Sequence, residues 1–582
     1  MEKKLRFMTF VRRAFQNYSE LAKSTFCYFC VATVYLFLLF KLNGSLFEDL
    51  NSTYGLSDTD TEGTLWWLWN QSQTSQIDNL SGGQVFDTSQ FTFWNLFDYL
   101  RIFLVGSLGV ENLFLISNAS LLICFTLNGI AAFSFARVIF KNNITSAAMG
   151  SILVFTSVNL LSLRTSLSNN LLFFGILLIR TFALDFIEKN KRNTYLLVIF
   201  CIFTAMSSTY LAANILLIQF VFILVVYSSS SVVEKKSLIV NFLLASSTSL
   251  LTTLIIYRDQ IFLISRSQKT SEMRPLNALS ELIPSSVTIA NKFQASSGFL
   301  SLTILMVLCI ATFLSFGRLK LSKQVLLSLG VMISGLVTQF IGYDFWLLNP
   351  IHDLYFTLFP QLRGISNYAK FGQFLIGLGA TSLILIHRPK LLAGNIRFAL
   401  VSLVIAATSA FQSVPADQSF SSRSDVKTIK RDFEYFFGDK QKTLIFDYPD
   451  RLSNAEWGFP VGYMQISQIF HNQLLLNGID YPQHKKGCVS TIKLGPTETI
   501  NWVDRNQADY IVLRTRLIPK DELEEIKSLL GQRDWKFQYK SYSQPKGPSL
   551  FELSKDFEVY KSSSLNLSTR AYICNYDKGD IQ

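Results

Sequence analysis

Long apolar segments alternate with short polar loops from residue 26 to about residue 412. Most of them approach the roughly 20 residues that a helix needs to cross the hydrocarbon core of a bilayer. The pattern predicts a polytopic α-helical membrane protein with about eleven transmembrane helices by this length rule. They are expected at residues 26–42, 113–138, 144–161, 169–187, 194–208, 210–227, 238–256, 299–316, 325–343, 371–386 and 397–412.

Basic residues occupy every second loop between these segments, and this alternation predicts the orientation. The basic loops include the arm from Lys3 to Lys23, Arg137 with Lys141, and Lys235 with Lys236. Such loops stay on the cytoplasmic side. We therefore expect a cytoplasmic N-terminus, an uncleaved signal anchor as the first helix, and a C-terminal tail outside. Because topology explains many of the basic residues behind the formal net charge of +12, nucleic acid is not predicted as a partner.

The composition changes to that of a soluble domain after the last apolar segment. Short apolar runs with turn signals predict strands at 444–446, 509–513, 535–539 and 550–553. A helix should begin near Pro519 and Asp521 and stop at Gly531. The chain thus divides into a transmembrane domain, residues 1–412, and a mixed α/β domain, residues 413–582, predicted to be periplasmic or extracellular.

The first outer loop, residues 43–112, contains two stretches that are too polar to span the bilayer. One begins at Thr61, and the other covers residues 91–110, where Asp98 and Arg101 interrupt an apolar pattern. Both are predicted to be helices in the membrane interface, with an apolar face among the headgroups and the polar groups in water.

Three acids in this loop, Asp58, Asp60 and Glu62, stand just before Trp66, Trp67 and Trp69. Tryptophan favours the bilayer interface, whereas an acid close to hydrocarbon costs free energy and is more often kept for a function. The alternative is a set of solvated loop acids ahead of an interfacial aromatic helix. Whichever role the acids have, Trp66, Trp67 and Trp69 are predicted to be interface anchors in preference to sugar-binding platforms.

The second long outer loop, residues 257–298, has an excess of basic side chains, among them Arg258, Arg266 and Arg274. Arginine binds phosphate oxygens in a bidentate fork, so this loop is a candidate for holding the phosphate of a lipid-linked donor. The alternative is a solvated loop that meets lipid headgroups.

An outer-face acid beside such a phosphate-binding loop suits displacement at a sugar carbon whose leaving group is a lipid phosphate. The carboxylate would act as general base toward an acceptor hydroxyl. Arg or Lys would stabilise the departing phosphate, with or without a divalent ion such as Mg or Mn. No cofactor is certain, and the four histidines show no metal-ligand spacing.

Several motifs carry a resemblance to a known family. The segment from Asp60 to Trp69 resembles the Asp-x-x-x-x-x-Trp segment of bacterial GT-C superfamily glycosyltransferases. Residues 112–137, with Gly129-Ile130-Ala131-Ala132, are similar to the second span of those proteins. The Phe359-Pro360-Gln361-Leu362-Arg363-Gly364 segment and the tail segment from His471 to Tyr481 resemble two further landmarks.

This resemblance implies an inverting transferase in the bacterial inner membrane. It would move a sugar from a polyprenyl-phosphate donor to a glycan, lipid or protein acceptor on the outer face. Asp60 would be the general base, with Asp58 and Glu62 in reserve, and Arg363 and Lys370 would join the donor-phosphate residues. His471, Tyr481, Trp66 and Trp67 would contact the acceptor or the sugar.

Two other classes of function remain open. A transporter or flippase of lipid-linked glycans would place ionisable residues at the midplane or show repeated halves, and no repeat is apparent. A non-catalytic assembly protein would keep the scaffold without activity. Ser366 and Lys370 stand where relatives often have two arginines, which keeps this last alternative open.

The cysteines fall into two groups. Five lie in apolar segments and are predicted to be small buried hydrophobes: Cys27, Cys30, Cys124, Cys201 and Cys309. Cys488 and Cys574 belong to the outer domain, whose oxidising compartment permits a disulfide without establishing one.

Overall fold

The computed structural model describes parts of both predicted domains. The described residues are 24–39, 65, 68–69, 72, 80–81, 84–85, 96–140, 142–155, 172–188, 193–207, 223–224, 227, 232–256, 274–275, 322–340, 343–344, 350, 353, 375, 379, 382–383, 386, 436–437, 443–448, 474–475, 495–505, 507–541 and 557–563.

Eight helices are described in the N-terminal part of the chain. They are α1 (Ser24–Leu39), α2 (Leu96–Leu108), α3 (Leu113–Phe140), α4 (Asn143–Phe155), α5 (Phe173–Glu188), α6 (Asn193–Ser207), α7 (Val232–Ile256) and α8 (Lys323–Phe340). Among them α3 and the Leu238–Ile255 part of α7 are both long and apolar enough to cross a bilayer. A one-turn 3-10 helix, Val110–Asn112, joins α2 to α3.

Contacts between helix ends show an antiparallel arrangement. Arg137, near the end of α3, donates from Nη1 to Ser24 Oγ at the start of α1 over 3.2 Å. Lys323, at the start of α8, donates to the carbonyl oxygen of Phe186 near the end of α5 over 3.1 Å. Among the described helices, α3 also packs against α4 and α5, α5 against α6, and α6 against α7. Each contact joins two ends that the basic-loop pattern places on the same side.

The helices expose apolar side chains and bury polar ones. On α7, Leu243, Leu251 and Ile255 are 57%, 61% and 69% exposed, whereas Asn241 is 5% exposed. Many buried hydroxyls donate to a carbonyl four residues earlier in their own helix, as Thr181 and Ser334 do. In lipid, polar groups must be satisfied inside the protein while apolar side chains face outward. This pattern is that of a membrane domain.

Small residues allow close helix contacts in its core. An added Cβ at Gly150 would lie 2.0 Å from Tyr35 Oη and 2.8 Å from the carbonyl oxygen of Gly129. The Tyr35 hydroxyl donates to the carbonyl of Ala147 over 2.6 Å, which ties α1 to α4. Glycine contacts of this kind are typical of helix packing in membranes.

The tail contains a five-stranded mixed sheet. Its strands are β5 (Leu444–Tyr448), β6 (Leu474–Leu475), β7 (Tyr510–Arg514), β8 (Trp535–Ser541) and β9 (Phe557–Ser562), in the order β6-β5-β7-β9-β8. β6, β5 and β7 run parallel, whereas β9 pairs antiparallel with both β7 and β8. Helices α9 (Pro496–Arg505) and α10 (Lys520–Gln532) cover one face.

Alternation along the strands builds the core of this domain. Phe446 and Ile511 pack toward α9 and α10, where they meet Val503, Ile526 and Leu530. On the opposite face Tyr510 contacts the ring of Phe437, with centroids 5.6 Å apart. Every residue of β5 and β7 is buried, as expected for central parallel strands covered on both sides.

Several predicted elements are confirmed. The segments at 113–138, 144–161, 169–187, 194–208, 238–256 and 325–343 coincide with α3 to α8, and 26–42 with α1. Residues 223, 224 and 227 and residues 375–386, where described, are helical. The segments at 299–316 and 397–412 lie outside the described residues.

In the tail, the predicted strands at 444–446, 509–513 and 535–539 and the helix near Pro519 are present. The predicted strand at 550–553 lies outside the described residues, and the strand Phe557–Ser562 and helix Pro496–Arg505 were not predicted. Cys124 and Cys201 are buried as predicted, but Cys30 is exposed on α1 because its side of that helix faces outward. Cys309, Cys488 and Cys574 lie outside the described part.

Candidate functional site

Helix α2 of the first outer loop turns its charged residues toward the protein. Asp98 and Arg101 are 5% and 2% exposed, whereas Tyr99 and Phe103 are 58% and 67% exposed. The helix was expected to keep its polar groups in water, and that expectation is wrong. Since ionic groups are costly in contact with lipid, they pack against α3 and leave the apolar side outward.

The charged pair of α2 lies at the start of α3. Arg101 Nη2 forms an ion pair with Asp98 Oδ1, and its Nη1 is 3.5 Å from Ser117 Oγ on α3. The Nε atom of Arg101 is buried and has no hydrogen-bond partner. Asn118, on the next position of α3, is 2% exposed. A polar cluster therefore joins the first outer loop to α3.

A short helical stretch, here called the Trp69 segment, comprises the described residues Leu65, Leu68, Trp69 and Ser72. Its three apolar side chains are each at most 2% exposed. Ser72 Oγ donates to the carbonyl of Trp69 over 2.7 Å, and a Cβ added at Gly106 of α2 would lie 3.9 Å from the Ser72 carbonyl oxygen. Trp69 is thus packed inside the protein, which corrects its prediction as an interface anchor.

Short strands join each of the two outer loops to another part of the chain. In the first loop, β1 (Leu80–Ser81) and β2 (Gln84–Val85) form an antiparallel pair, and β1 also lies beside β6 of the tail. In the second loop, β3 (Arg274–Pro275) pairs in parallel with β4 (Tyr343–Asp344), which follows α8. The first outer loop and the tail domain therefore meet.

Of the predicted site residues, only Arg274 is described, and only by its backbone in β3, where it is in register with Tyr343. The others lie outside the described residues. These are the acids Asp58, Asp60 and Glu62, the basic residues Arg258, Arg266, Arg363 and Lys370, and the acceptor residues Trp66, Trp67, His471 and Tyr481. Their roles stay predictions.

Among the described residues, no group of three or more His, Cys, Asp or Glu side chains is placed to hold a metal ion. The catalytic candidates Asp58, Asp60 and Glu62 lie outside that part of the chain. No metal-binding role is therefore assigned to the described residues.

The tail holds two further clusters of charged side chains. Arg514 Nε donates to Asp447 Oδ1 over 2.8 Å, and each of these residues is 1% exposed. Burial raises the pKa of Asp447, although the charge and hydrogen bonds of Arg514 oppose that shift. Arg514 and Asp447 are each other's ionic partners, which favours a structural role for the pair.

Glu558 is the centre of the second tail cluster. It accepts hydrogen bonds from Lys527, over 3.1 Å, and from Tyr560, over 2.9 Å, and it pairs with Lys540 over 3.1 Å. Burial alone would raise its pKa, but these hydrogen bonds together hold the pKa below its ordinary value. Burial and the Glu558 charge raise the pKa of Tyr560 well above its usual range.

Comparison with solved structures identifies the fold. The arabinofuranosyltransferase AftD from Mycobacteria matches with a TM-score of 0.51 and 12% identity, covering 92% of this chain and 39% of that one. The chain has the GT-C fold. The oligosaccharyltransferase of Archaeoglobus fulgidus is similar with a TM-score of 0.45 and 11% identity, covering 83% of this chain and 69% of that one.

The likeness lies in the fold and not in the sequence. No protein-family profile and no curated protein sequence matches this chain. The chain spans about two fifths of the length of AftD, since 39% of that protein is covered. The resemblance to the GT-C superfamily inferred from short motifs is confirmed at the level of fold.

Part of the charged cluster could be recognised from its residue types. Asp98 and Arg101 stood out as charges in an apolar stretch, but their partner Ser117 did not, since a serine in an apolar helix is common. Asn128 was also missed as a polar anchor. Its Oδ1 accepts a hydrogen bond from the amide of Leu172 over 3.0 Å, at the start of α5.

Proposed function

We propose that this chain is a membrane glycosyltransferase. It takes a sugar from a polyprenyl-phosphate donor and passes it, with inversion, to a glycan, lipid or protein acceptor on the outer face. The observation that carries the proposal is the GT-C fold shared with a protein named as an arabinofuranosyltransferase. Fold alone does not fix function, so the site argument has to be tested separately.

The arrangement of the outer loops supports a site between them. The first outer loop meets the tail where β1 lies beside β6, and β3 of the second loop pairs with β4 beyond α8. A transferase needs the acceptor and the donor phosphate on opposite sides of one sugar carbon. Segments from both outer loops and the tail would supply those sides.

The proposed chemistry assigns one role to each group. Asp60 is the general base, and Asp58 and Glu62 are the reserves. Arg258, Arg266, Arg274, Arg363 and Lys370 neutralise the leaving phosphate, and Trp66, Trp67, His471 and Tyr481 contact the sugar or the acceptor. Partial burial of an acid raises its basicity, which suits a base that takes a hydroxyl proton.

The proposed location is the bacterial inner membrane, with the N-terminus cytoplasmic and the tail periplasmic or extracellular. The exposed apolar side chains of α7 support a membrane location. Reporter fusions at Gln582 test the orientation. A cytoplasmic signal from that fusion would place the tail on the wrong side for the proposed reaction.

The decisive experiment measures sugar transfer by the purified full chain from labelled polyprenyl-phosphate sugars. Asp60→Asn keeps the shape of the side chain and removes the basicity, so we expect transfer to be lost while the protein still folds and inserts. Glu111→Gln is the matched control because it removes an exposed carboxylate of the same outer loop and leaves Asp58, Asp60 and Glu62 unchanged. Full activity in Asp60→Asn would transfer the role to Asp58 or Glu62, and full activity in all three single variants would refute this site.

The product profile of cells separates the proposed function from its alternatives. Cells that lack the protein and cells with Asp60→Asn should lose the same glycosylated product. Accumulation of a complete lipid-linked glycan on the cytoplasmic side would indicate a flippase. If cells carrying the single variants at Asp58, Asp60 and Glu62 all kept the product, a non-catalytic assembly role would be favoured.

A further inference from the structure

We propose that the Asp98–Arg101 pair and Gly106 form a positioning device, which sets the rotation of α2 and thereby the place of the Trp69 segment, which follows the acids Asp58, Asp60 and Glu62 in the sequence. This inference rests on the proposed function for its catalytic consequence. Its structural part, the coupling of α2 to the Trp69 segment, can be tested without any activity.

The charged pair is suited to orientation and not to proton transfer. Asp98 is paired with Arg101 and is 5% exposed, so it lacks the access that a general base needs. A buried ion pair is weak evidence for stability, because well-packed apolar residues often replace one without loss. Ionisable residues inside a membrane domain are more often kept for a function.

The other side chains of α2 favour one rotation of this helix about its axis only weakly. Between Asp98 and Ser107 its side chains are apolar or aromatic apart from Arg101, and several of the outward ones are exposed. Apolar burial therefore distinguishes poorly between one rotation of the helix and the next. Turning Asp98 and Arg101 toward lipid would cost free energy, and this cost selects the observed rotation of α2. In that rotation Arg101 Nη1 lies 3.5 Å from Ser117 Oγ on α3.

The rotation of α2 reaches the Trp69 segment through Gly106. A Cβ at position 106 would be 3.9 Å from the Ser72 carbonyl oxygen, which is an ordinary van der Waals distance, so α2 and the Trp69 segment lie close together at this position. A turn of one residue, about 100° in an α-helix, would present Val105 or Ser107 to that carbonyl. The Trp69 segment would then have to move.

Movement of this segment would be transmitted along the chain to the acids. Leu65, its first described residue, follows Glu62 by three positions and Asp60 by five. Catalysis is sensitive to such shifts, because a misplacement of about 1 Å can cost about 100-fold in rate. Arg101 and Gly106 are therefore positioning residues for the proposed reaction.

The main test removes the pair without leaving a lone charge. In Asp98→Leu with Arg101→Met, both side chains are apolar, so the melting temperature should stay close to that of the wild type. The kcat per folded molecule should fall at least about ten-fold, while the KM for the donor changes less than about three-fold. The charge swap, Asp98→Arg with Arg101→Asp, should recover most of the lost kcat. A stable apolar variant with wild-type kcat would overturn the proposal.

Two substitutions of different size at position 106 test the contact between α2 and the Trp69 segment. Gly106→Ala places a Cβ at an ordinary contact distance of 3.9 Å from the Ser72 carbonyl oxygen, whereas Gly106→Leu adds three further carbons beyond that Cβ, which we expect to crowd the Trp69 segment. We expect the leucine variant to lose at least about ten times more kcat than the alanine variant. Ser107→Leu adds the same side chain on the exposed neighbouring position and is the matched control. Equal kcat in the two Gly106 variants would contradict this step.

A labelling experiment separates this inference from the proposed function. In full-length protein carrying Ser72→Cys, we measure the rate of modification of that cysteine by a water-soluble maleimide, using mass spectrometry of its peptide. The apolar pair variant should change that rate at least about three-fold, and the charge swap should bring it back. If labelling responds but the wild type transfers no sugar, the positioning device stands and the proposed function fails. Unchanged labelling would refute the device even in an active enzyme.

Discussion

Two buried Asp–Arg pairs lie in the two parts of the molecule, and their surroundings differ. In the tail, Arg514 binds Asp447 through two nitrogens and joins neighbouring strands β5 and β7. Its guanidinium carbon also lies 5.1 Å from the ring centre of Phe557 on β9. In the membrane domain, Arg101 binds an aspartate of its own helix, reaches Ser117 at 3.5 Å, and leaves Nε without a partner.

The difference indicates two roles for the same chemistry. A bidentate pair between strands satisfies both partners and holds three strands together, so loss of one partner alone should affect stability first. A pair inside one helix adds little to the connection between elements. The Asp98–Arg101 pair determines which face of α2 meets lipid. The tail pair is therefore expected to be a stability feature, and the α2 pair an orientation feature.

The largest expected effect is on the tail pair. Arg514→Met leaves the Asp447 carboxylate buried without a counter-charge, which should cost about 3–5 kcal/mol of the tail's stability. Hydrogen exchange of β5 and β7 amides in the full chain measures this loss. Asp447→Leu with Arg514→Met, which leaves no charge behind, should be close to neutral. An equal loss in both variants would show that the pair is needed for more than mutual neutralisation.

A second contrast concerns exposed apolar side chains in the two parts. Leu243 on α7 is 57% exposed and Phe537 on β8 is 54% exposed. If the first faces lipid, Leu243→Lys should disfavour insertion by about 3 kcal/mol. Phe537→Lys places a charge in water on an edge strand, where lysine is common. Alkaline extraction of membranes measures insertion, and similar extraction of both variants would contradict the lipid-facing assignment of α7.

Glycines give a third contrast. Gly150→Ala would bring a Cβ within 2.0 Å of Tyr35 Oη, so it should destabilise the membrane domain by about 1–3 kcal/mol. Tyr35→Phe in the same chain should recover part of that loss, because it removes the nearest atom. At Gly531 on α10 an added Cβ meets nothing within 4 Å, and Gly531→Ala should stabilise the tail by up to about 1 kcal/mol. Thermal unfolding in detergent compares the three variants.

Periodicity predicted the elements well because each has a strong local signal. Helix α3 has apolar residues along its length, and β5 and β7 are short apolar runs that end in polar or turn residues. The strand Phe557–Ser562 was missed because its sequence, Phe-Glu-Val-Tyr-Lys-Ser, carries two charges. One of them, Glu558, is satisfied by tertiary contacts with Lys527 and Lys540.

The candidate site was less predictable for a physical reason. The local sequence indicated that Asp98 and Arg101 were unusual, but their orientation depends on α3, which supplies Ser117 and is distant in the chain. The same holds for β1, whose position beside β6 depends on a segment nearly 400 residues later. Contacts of this kind cannot be obtained from periodicity, which reports only on one element at a time.

The smallest expected effect lies at the Glu558 cluster and depends on pH. Lys527 and Lys540 are 31% and 51% exposed, so solvent screens their attraction, and each pair should contribute about 1 kcal/mol or less. Because the folded-state pKa of Glu558 is lowered, its contribution is present above the ordinary glutamate pKa. It is lost as the pH falls below about 4.3 and through the lowered value.

Glu558→Gln should therefore exchange faster than the wild type at the β8 and β9 amides near neutral pH. The difference in exchange rate between this variant and the wild type should narrow steadily as the solution is acidified, because the wild-type carboxylate becomes protonated and resembles the amide.

Asp447→Asn is the contrasting variant. Since burial raises the pKa of Asp447, its protonation begins at higher pH than that of Glu558, and its difference from the wild type should narrow first on acidification. Hydrogen exchange of the full chain at a series of pH values, corrected for the intrinsic rate, measures both. If the Glu558→Gln difference narrowed at a higher pH than the Asp447→Asn difference, the directions assigned to these two pKa shifts would be wrong.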